Sequence, residues 1–334
     1  MKSIMRIILV IFLLIGNAYS IVGNKILEKN WLNDIHDILL VLTDENIFSA
    51  PEFTKMMMDA KQLIDPITGL AYETHGGNIL PYYIKTSQEC DGCESRETGE
   101  DDEKVVLFIG GIHADEVSPL YSSFLLVNRI IHDKFQTNAK IIFAPLTNPD
   151  GILNRQSLKI TRLPKPVENY CYRSNYKGRM IRRSSVGKRK LTKGVDPNRS
   201  FYTSLDIKDP KKGKKRAPLE TRFVTDLIKK YKPDVIVSIH GPFGTLDYDG
   251  PINMNEIKTR KEQEIKDWIS KASIGGGLKE DNDYPVLRNS LGAYGVRNNI
   301  HIITVELPNK CGADARSDYE KHAETFKELL MVPL

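Results

Sequence analysis

VVLFIGGIHADE, residues Val105 to Glu116, decides the reading of this chain. Its β-branched and aromatic start predicts a fully buried strand, which two glycines break before His113 and Glu116 follow at H-x-x-E spacing. A turn that tightens just after a strand brings side chains at i and i+3 to one side. An imidazole and a carboxylate placed there can share one metal ion, and zinc takes those donors, keeping three protein ligands and an open position in catalytic sites. The pair alone is weak evidence, because a chain with 7 His and 43 Asp and Glu produces such pairs by chance. Charged groups at the end of a buried strand nonetheless need a partner.

Working outward, the same strand-then-polar-residue pattern recurs. Ala139 to Pro145 predicts a second buried strand, ending in the turn Asn148-Pro149-Asp150-Gly151. Asp234 to Ile239 predicts a third, delivering His240 just before Gly241-Pro242. Ile300 to Val305 predicts a fourth, with Glu306 ahead of Leu307-Pro308. Helices are expected between them over Ser118–His132 and Leu219–Tyr231, from apolar residues at helical spacing. Strands alternating with helices, with polar residues at strand ends, predict an α/β fold: a single mixed, mostly parallel twisted sheet with helices on both faces. Residues 21–69 read as a helical N-terminal segment of two helices with a linker around Asp65-Pro66. Residues 70–334 form the expected catalytic domain, entered through a hairpin about Gly76-Gly77. The segment from Ile152 to Lys193 reads as a basic, irregular loop, and no internal repeat is present.

Composition is that of a folded protein, with 40% hydrophobic and 27% charged residues. Residues 1–20 have the layout of a secretory signal peptide: Lys2 and Arg6, an apolar run Ile7 to Ile15, and the small-residue ending Ala18-Tyr19-Ser20. The apolar run falls short of the ~20 residues that span a bilayer, so no stable membrane insertion is expected after cleavage, and the protein is expected in a periplasm or outside the cell. Loss of Lys2 and Arg6 lowers the formal charge of +5 by two. The basic stretches lack interleaved aromatic residues, which argues against nucleic acid as a partner. Cys90, Cys93, Cys171 and Cys311 permit two disulfides in three pairings, and the acidic Cys90-Asp-Gly-Cys93 loop favours a local disulfide over a second metal site.

The ordered set H-x-x-E, N-P-D-G, G-V-D-P-N-R, S-I-H-G and T-V-E-L-P is more specific than any one member. It resembles the zinc carboxypeptidases of the pancreatic carboxypeptidase A superfamily. Within that group, Ser238 to Pro251 and Tyr284 to Pro308 look most similar to the bacterial murein peptide amidases, which remove terminal diaminopimelate from peptidoglycan peptides. The resemblance implies one zinc ion held by His113, Glu116 and His240, with Glu306 as the catalytic glutamate that takes a proton from the attacking water and passes it to the leaving amine. It implies that Asn198 and Arg199 hold the substrate's free carboxylate, a task suited to a planar guanidinium. Asp196 is implied as an orienting partner of a zinc-binding histidine.

Two departures from the family pattern leave alternatives open. The carbonyl-polarising arginine is expected at Arg189, with Arg182 and Arg183 as alternatives. The substrate-contacting tyrosine is Tyr284 or Tyr294. Val286 to Gly292 stands where the murein-type motif is rich in Pro, Gly and Ser, making Arg288 a candidate partner for a second substrate carboxylate. The expected substrate is a peptidoglycan stem peptide, cut between γ-D-glutamate and diaminopimelate. Ordinary peptide C-termini, an acyl amino acid, or a non-catalytic binding role on the same fold are the competing readings.

Overall fold

The computed structural model of the chain describes residues 31–43, 46–86, 103–132, 134–154, 170–176, 178–191, 194–202, 217–281 and 286–333. Residues 1–20, where a signal peptide is expected, and Cys90, Cys93 and Tyr284 lie outside the described residues. Ten strands and nine α-helices are formed among them. The strands are β1 Lys61–Gln62, β2 Pro81–Lys85, β3 Val105–Ile109, β4 Lys140–Ala144, β5 Cys171–Tyr176, β6 Arg179–Ser184, β7 Val235–His240, β8 Thr245–Asp249, β9 Lys279–Asp281 and β10 His301–Glu306. The helices are α1 Trp31–Thr43, α2 Ala50–Asp59, α3 Val117–Ile131, α4 Pro149–Ile152, α5 Leu219–Tyr231, α6 Arg260–Gly275, α7 Leu291–Arg297, α8 Ala315–Lys321 and α9 Ala323–Leu329.

Eight strands make one mixed sheet in the order β1-β2-β4-β3-β7-β10-β8-β9. The four central strands run parallel, and β8 returns antiparallel along β10. Side-chain alternation divides the sheet between two cores. Val106 and Phe108 of β3, with Val237 and Ile239 of β7, face α1, α3, α6 and α9. Leu107 and Ile109, with Ile236 and Ile302, face α5 and the start of α7. The expected α/β sheet covered on both faces is therefore the observed architecture.

Three differences from the expectation have physical causes. The N-terminal segment does not end as helix, since Lys61 and Gln62 pair with Tyr82 and Pro81 and bring it into the sheet. Its helices also share a core with the sheet, because Ile35, Ile38 and Leu39 are fully buried in the cluster that holds Phe108 and Phe124. The basic segment is not wholly irregular: β5 and β6 pair antiparallel as a separate two-stranded sheet. Its strands carry few apolar residues, so no core-facing stripe marked them in the sequence.

A disulfide joins Cys171 of β5 to Cys311, just beyond β10, with a Cα–Cα distance of 5.7 Å and a sequence separation of 140. It pins the hairpin to the main sheet. Reduction is expected to cost about 2–5 kcal/mol of stability, measurable as a lower Tm in dithiothreitol, and unchanged melting would contradict this role.

Candidate metal centre and active site

The turn after β3 is built by its glycines. A Cβ on Gly110 would lie 2.2 Å from Ser123 Oγ, and Gly111 has φ of 60°. With no side chains there, the backbone leaves the sheet close against α3 and the amide of Glu116 bonds the carbonyl of His113 at 3.1 Å. His113 and Glu116 are thereby fixed side by side, each about 2% exposed. His240 ends β7, and its register partner on β10 is Glu306. Three strand ends thus converge at the carboxyl edge of the sheet, where open α/β sheets place their sites.

The donor atoms match one tetrahedral ion. His113 Nδ1 lies 3.2 Å from His240 Nδ1 and 3.1 Å from Glu116 Oε1, while His240 Nδ1 lies 3.1 Å from Glu116 Oε2. Tetrahedral zinc with bonds of about 2.0–2.1 Å places its ligand atoms about 3.3 Å apart. All three residues are buried, and among the described residues they are the group of His, Cys, Asp and Glu able to hold a metal ion. The Nε2 of His113 meets Asp196 Oδ1 at 3.1 Å, which fixes the ring so that Nδ1 faces the centre. Asp196 itself starts the short 3-10 turn Pro197–Arg199 and accepts the Asn198 amide at 2.9 Å.

Electrostatics hold the carboxylates in different states. Burial alone would raise Glu116, but Lys310 and His113 outweigh it and keep its carboxyl well below the usual range. Lys310 Nζ donates to Glu116 Oε1 at 2.6 Å, and Arg189 donates to the same oxygen at 3.0 Å. Asp196 is also depressed, its burial outweighed by His113, Arg189 and Arg199. Glu306 goes the other way: burial and the nearby Glu116 charge push it up to about 8. Its Oε2 is buried with no hydrogen-bond partner. An orphaned carboxyl oxygen facing a polar cavity is a group arranged for a proton or a ligand.

His113, Glu116, His240 and Glu306 line one cavity of about 510 Å³, together with Arg189 and Arg199. Asn198 reaches the same cavity and accepts the Leu291 amide on its Oδ1 at 2.9 Å, tying this turn to α7. Of the arginines, Arg189 reaches Glu116 and Asp196, Arg183 lines the cavity, and Arg182 is held by Asp314 at 2.7 Å. Tyr294 packs on Phe201 with ring centroids 6.2 Å apart, and the cavity's wall there comes from Leu287 and Ser290. Arg288 is exposed, away from that wall.

A family model described as zinc carboxypeptidase matches residues 74–272. The chain belongs to the zinc carboxypeptidase family. Among solved structures, thrombin-activatable fibrinolysis inhibitor matches with a TM-score of 0.54 at 13% identity, over 88% of this chain and 79% of that one. The bovine form of that protein, in complex with tick carboxypeptidase inhibitor, gives 0.51 at 12% identity, over 90% and 95%. Murein-tripeptide amidase MpaA from Escherichia coli O157 gives 0.44 at 17% identity, over 78% and 89%. No curated protein sequence matches this chain.

The sequence reading of this carboxypeptidase missed Lys310, whose ammonium balances Glu116. It stands four residues after Glu306, beyond the motif that drew attention, and only the turn back toward α3 brings it to the site. The amide of Val117 bonds the Lys310 carbonyl at 2.9 Å and makes that turn.

Proposed function

We propose that this zinc carboxypeptidase releases the terminal residue of peptidoglycan stem peptides, cutting the bond between γ-D-glutamate and diaminopimelate in an exported setting. The observation that carries the hydrolytic reading is the unpartnered Glu306 oxygen, sharing a cavity with the His113, Glu116 and His240 cluster and with Arg199. The murein reading draws on the sequence patterns Ser238 to Pro251 and Tyr284 to Pro308. Export draws on residues 1–20 and on the Cys171–Cys311 disulfide, a bond that persists in oxidising compartments.

The residues divide the work as follows. His113, Glu116 and His240 would hold the zinc ion, which when bound would supply Lewis acidity to water and to the scissile carbonyl. Glu306 accepts the proton of the attacking water and delivers it to the leaving amine. Arg199 pairs with the free carboxylate of the terminal residue, fixing which bond faces Glu306. Arg189 places a positive charge at the edge of the centre, where oxyanion charge develops.

A stem tripeptide ending in diaminopimelate and an α-linked peptide, each incubated with zinc and the protein, separate the readings. Release of diaminopimelate, abolished by a chelator, is expected. Turnover confined to the α-linked peptide would shift the assignment to ordinary C-termini. Arg199→Lys is expected to lower kcat/KM about 10- to 100-fold, mainly through KM, because an ammonium cannot reproduce the two-pronged contact. An unchanged KM would remove Arg199 from carboxylate binding.

A further inference from the structure

The cavity continues away from the metal centre along the face of β8 and β9. Asp247 and Asp249 sit two apart on β8 and share its face with Thr245, while Leu246 and Tyr248 point into the opposite core. Register places Asp281 of β9 beside Asp247 on one side and Thr304 of β10 on the other. All three aspartates line the cavity. Gly292 of α7 covers the far end, where a Cβ would fall 1.8 Å from Asp249 Oδ2, so the absent side chain is the room the carboxylate uses.

This cluster is uncompensated. No ion pair to Asp247, Asp249 or Asp281 is formed by a described lysine or arginine, whereas Glu116 in the same cavity has both. Asp247 is only 7% exposed, and its Oδ1 has no hydrogen-bond partner. Burial and the neighbouring carboxylates push Asp247 up to about 8, and burial raises Asp249 to about 6. A pocket with three acids and an orphaned oxygen lacks a cation that the described residues do not provide.

Register also gives the distance. Glu306 pairs with Thr245 and Thr304 with Asp247, so Asp247 stands two residues further along the strand than the row of the catalytic glutamate. At the usual strand rise this is about 7 Å, the reach of an extended four-carbon side chain measured from its α-carbon. We infer that Asp247, Asp249 and Asp281 form the specificity pocket for a terminal residue whose side chain ends in an ammonium or guanidinium group. The inference rests on the carboxypeptidase reading and selects within it. Lysine and arginine fit, and so does the far-end ammonium of diaminopimelate once the carboxylate on the same carbon points out of the acidic pocket, whereas aliphatic and acidic side chains do not.

Peptides identical except for a last residue of lysine, arginine, norleucine or glutamate test this on the zinc-loaded enzyme. The lysine and arginine peptides are expected to exceed norleucine in kcat/KM by about 30-fold or more, with glutamate lowest. Asp247→Asn is expected to collapse the lysine-to-norleucine ratio to within a few fold. The substitution removes the carboxyl that can ionise opposite a cation without changing shape, and Asp249→Asn provides a second variant should the first fold poorly. A wild-type preference for norleucine or glutamate, or a ratio unmoved by both variants, overturns the pocket. Should no peptide be cleaved, the peptidase reading fails separately, and calorimetry with free lysine and norleucine decides the pocket. Lysine binding that Asp247→Asn weakens supports it, and equal binding of the two amino acids overturns it.

Discussion

Glu306→Gln is expected to lower kcat on the order of 10³- to 10⁴-fold while leaving zinc content and the melting temperature close to those of the parent. The amide keeps the shape of the carboxyl and fits the same buried position at the end of β10, but it cannot take a proton from water. The wild-type pH profile carries a second mark of the same group. Burial and Glu116 push Glu306 from 4.5 up to about 8, and a cation next to it favours the ionised form and moves it back down. The acidic limb of kcat/KM is therefore expected between those two values and absent from the residual activity of Glu306→Gln. A variant retaining more than a tenth of wild-type kcat would remove Glu306 from the proton transfer.

Loss of the metal is expected to have an effect as large on activity and a distinct one on stability. Chelation, or His240→Ala, is expected to abolish turnover and to reduce bound zinc, read by elemental analysis, from about one ion per chain to near none. The fold is expected to survive. Without the ion Glu116 still has Lys310 at 2.6 Å and Arg189 at 3.0 Å, so its charge is not left uncompensated. Zinc in ~1,000-fold excess over its Kd adds about 4 kcal/mol to the native state, which appears as a higher Tm in the wild type and no shift in His240→Ala. Zinc that binds His240→Ala as tightly as the parent would place the ion elsewhere.

What the amino-acid sequence disclosed follows how local each feature is. His113, Glu116, His240 and Glu306 each stand at the end of a short apolar run, so the strand and its polar terminus were visible together, and parallel pairing in register brings those termini to one edge. Asp196 was found because it belongs to the same turn as Arg199. The acidic pocket was not found, since Asp247 and Asp249 meet Asp281 only through the pairing of β8 with β9, across 29 intervening residues that include α6. The alternation of Asp247, Tyr248 and Asp249 was a faint sign of a strand, obscured because acids seldom line a buried face. Tyr294 shows the converse: proximity in sequence to Glu306 suggested a role at the site, and the turn of α7 directs its ring toward Phe201.

The family match ends at residue 272, ahead of β10, and begins at 74, behind α1 and α2. Trimming the gene to those limits would delete a strand from the middle of the sheet, between β7 and β8, together with Glu306, and would strip Ile35, Ile38 and Leu39 from beneath α3. A piece able to fold as an enzyme consequently needs at least the stretch from Trp31 to Val332, and a fragment cut to the matched limits is expected to be insoluble.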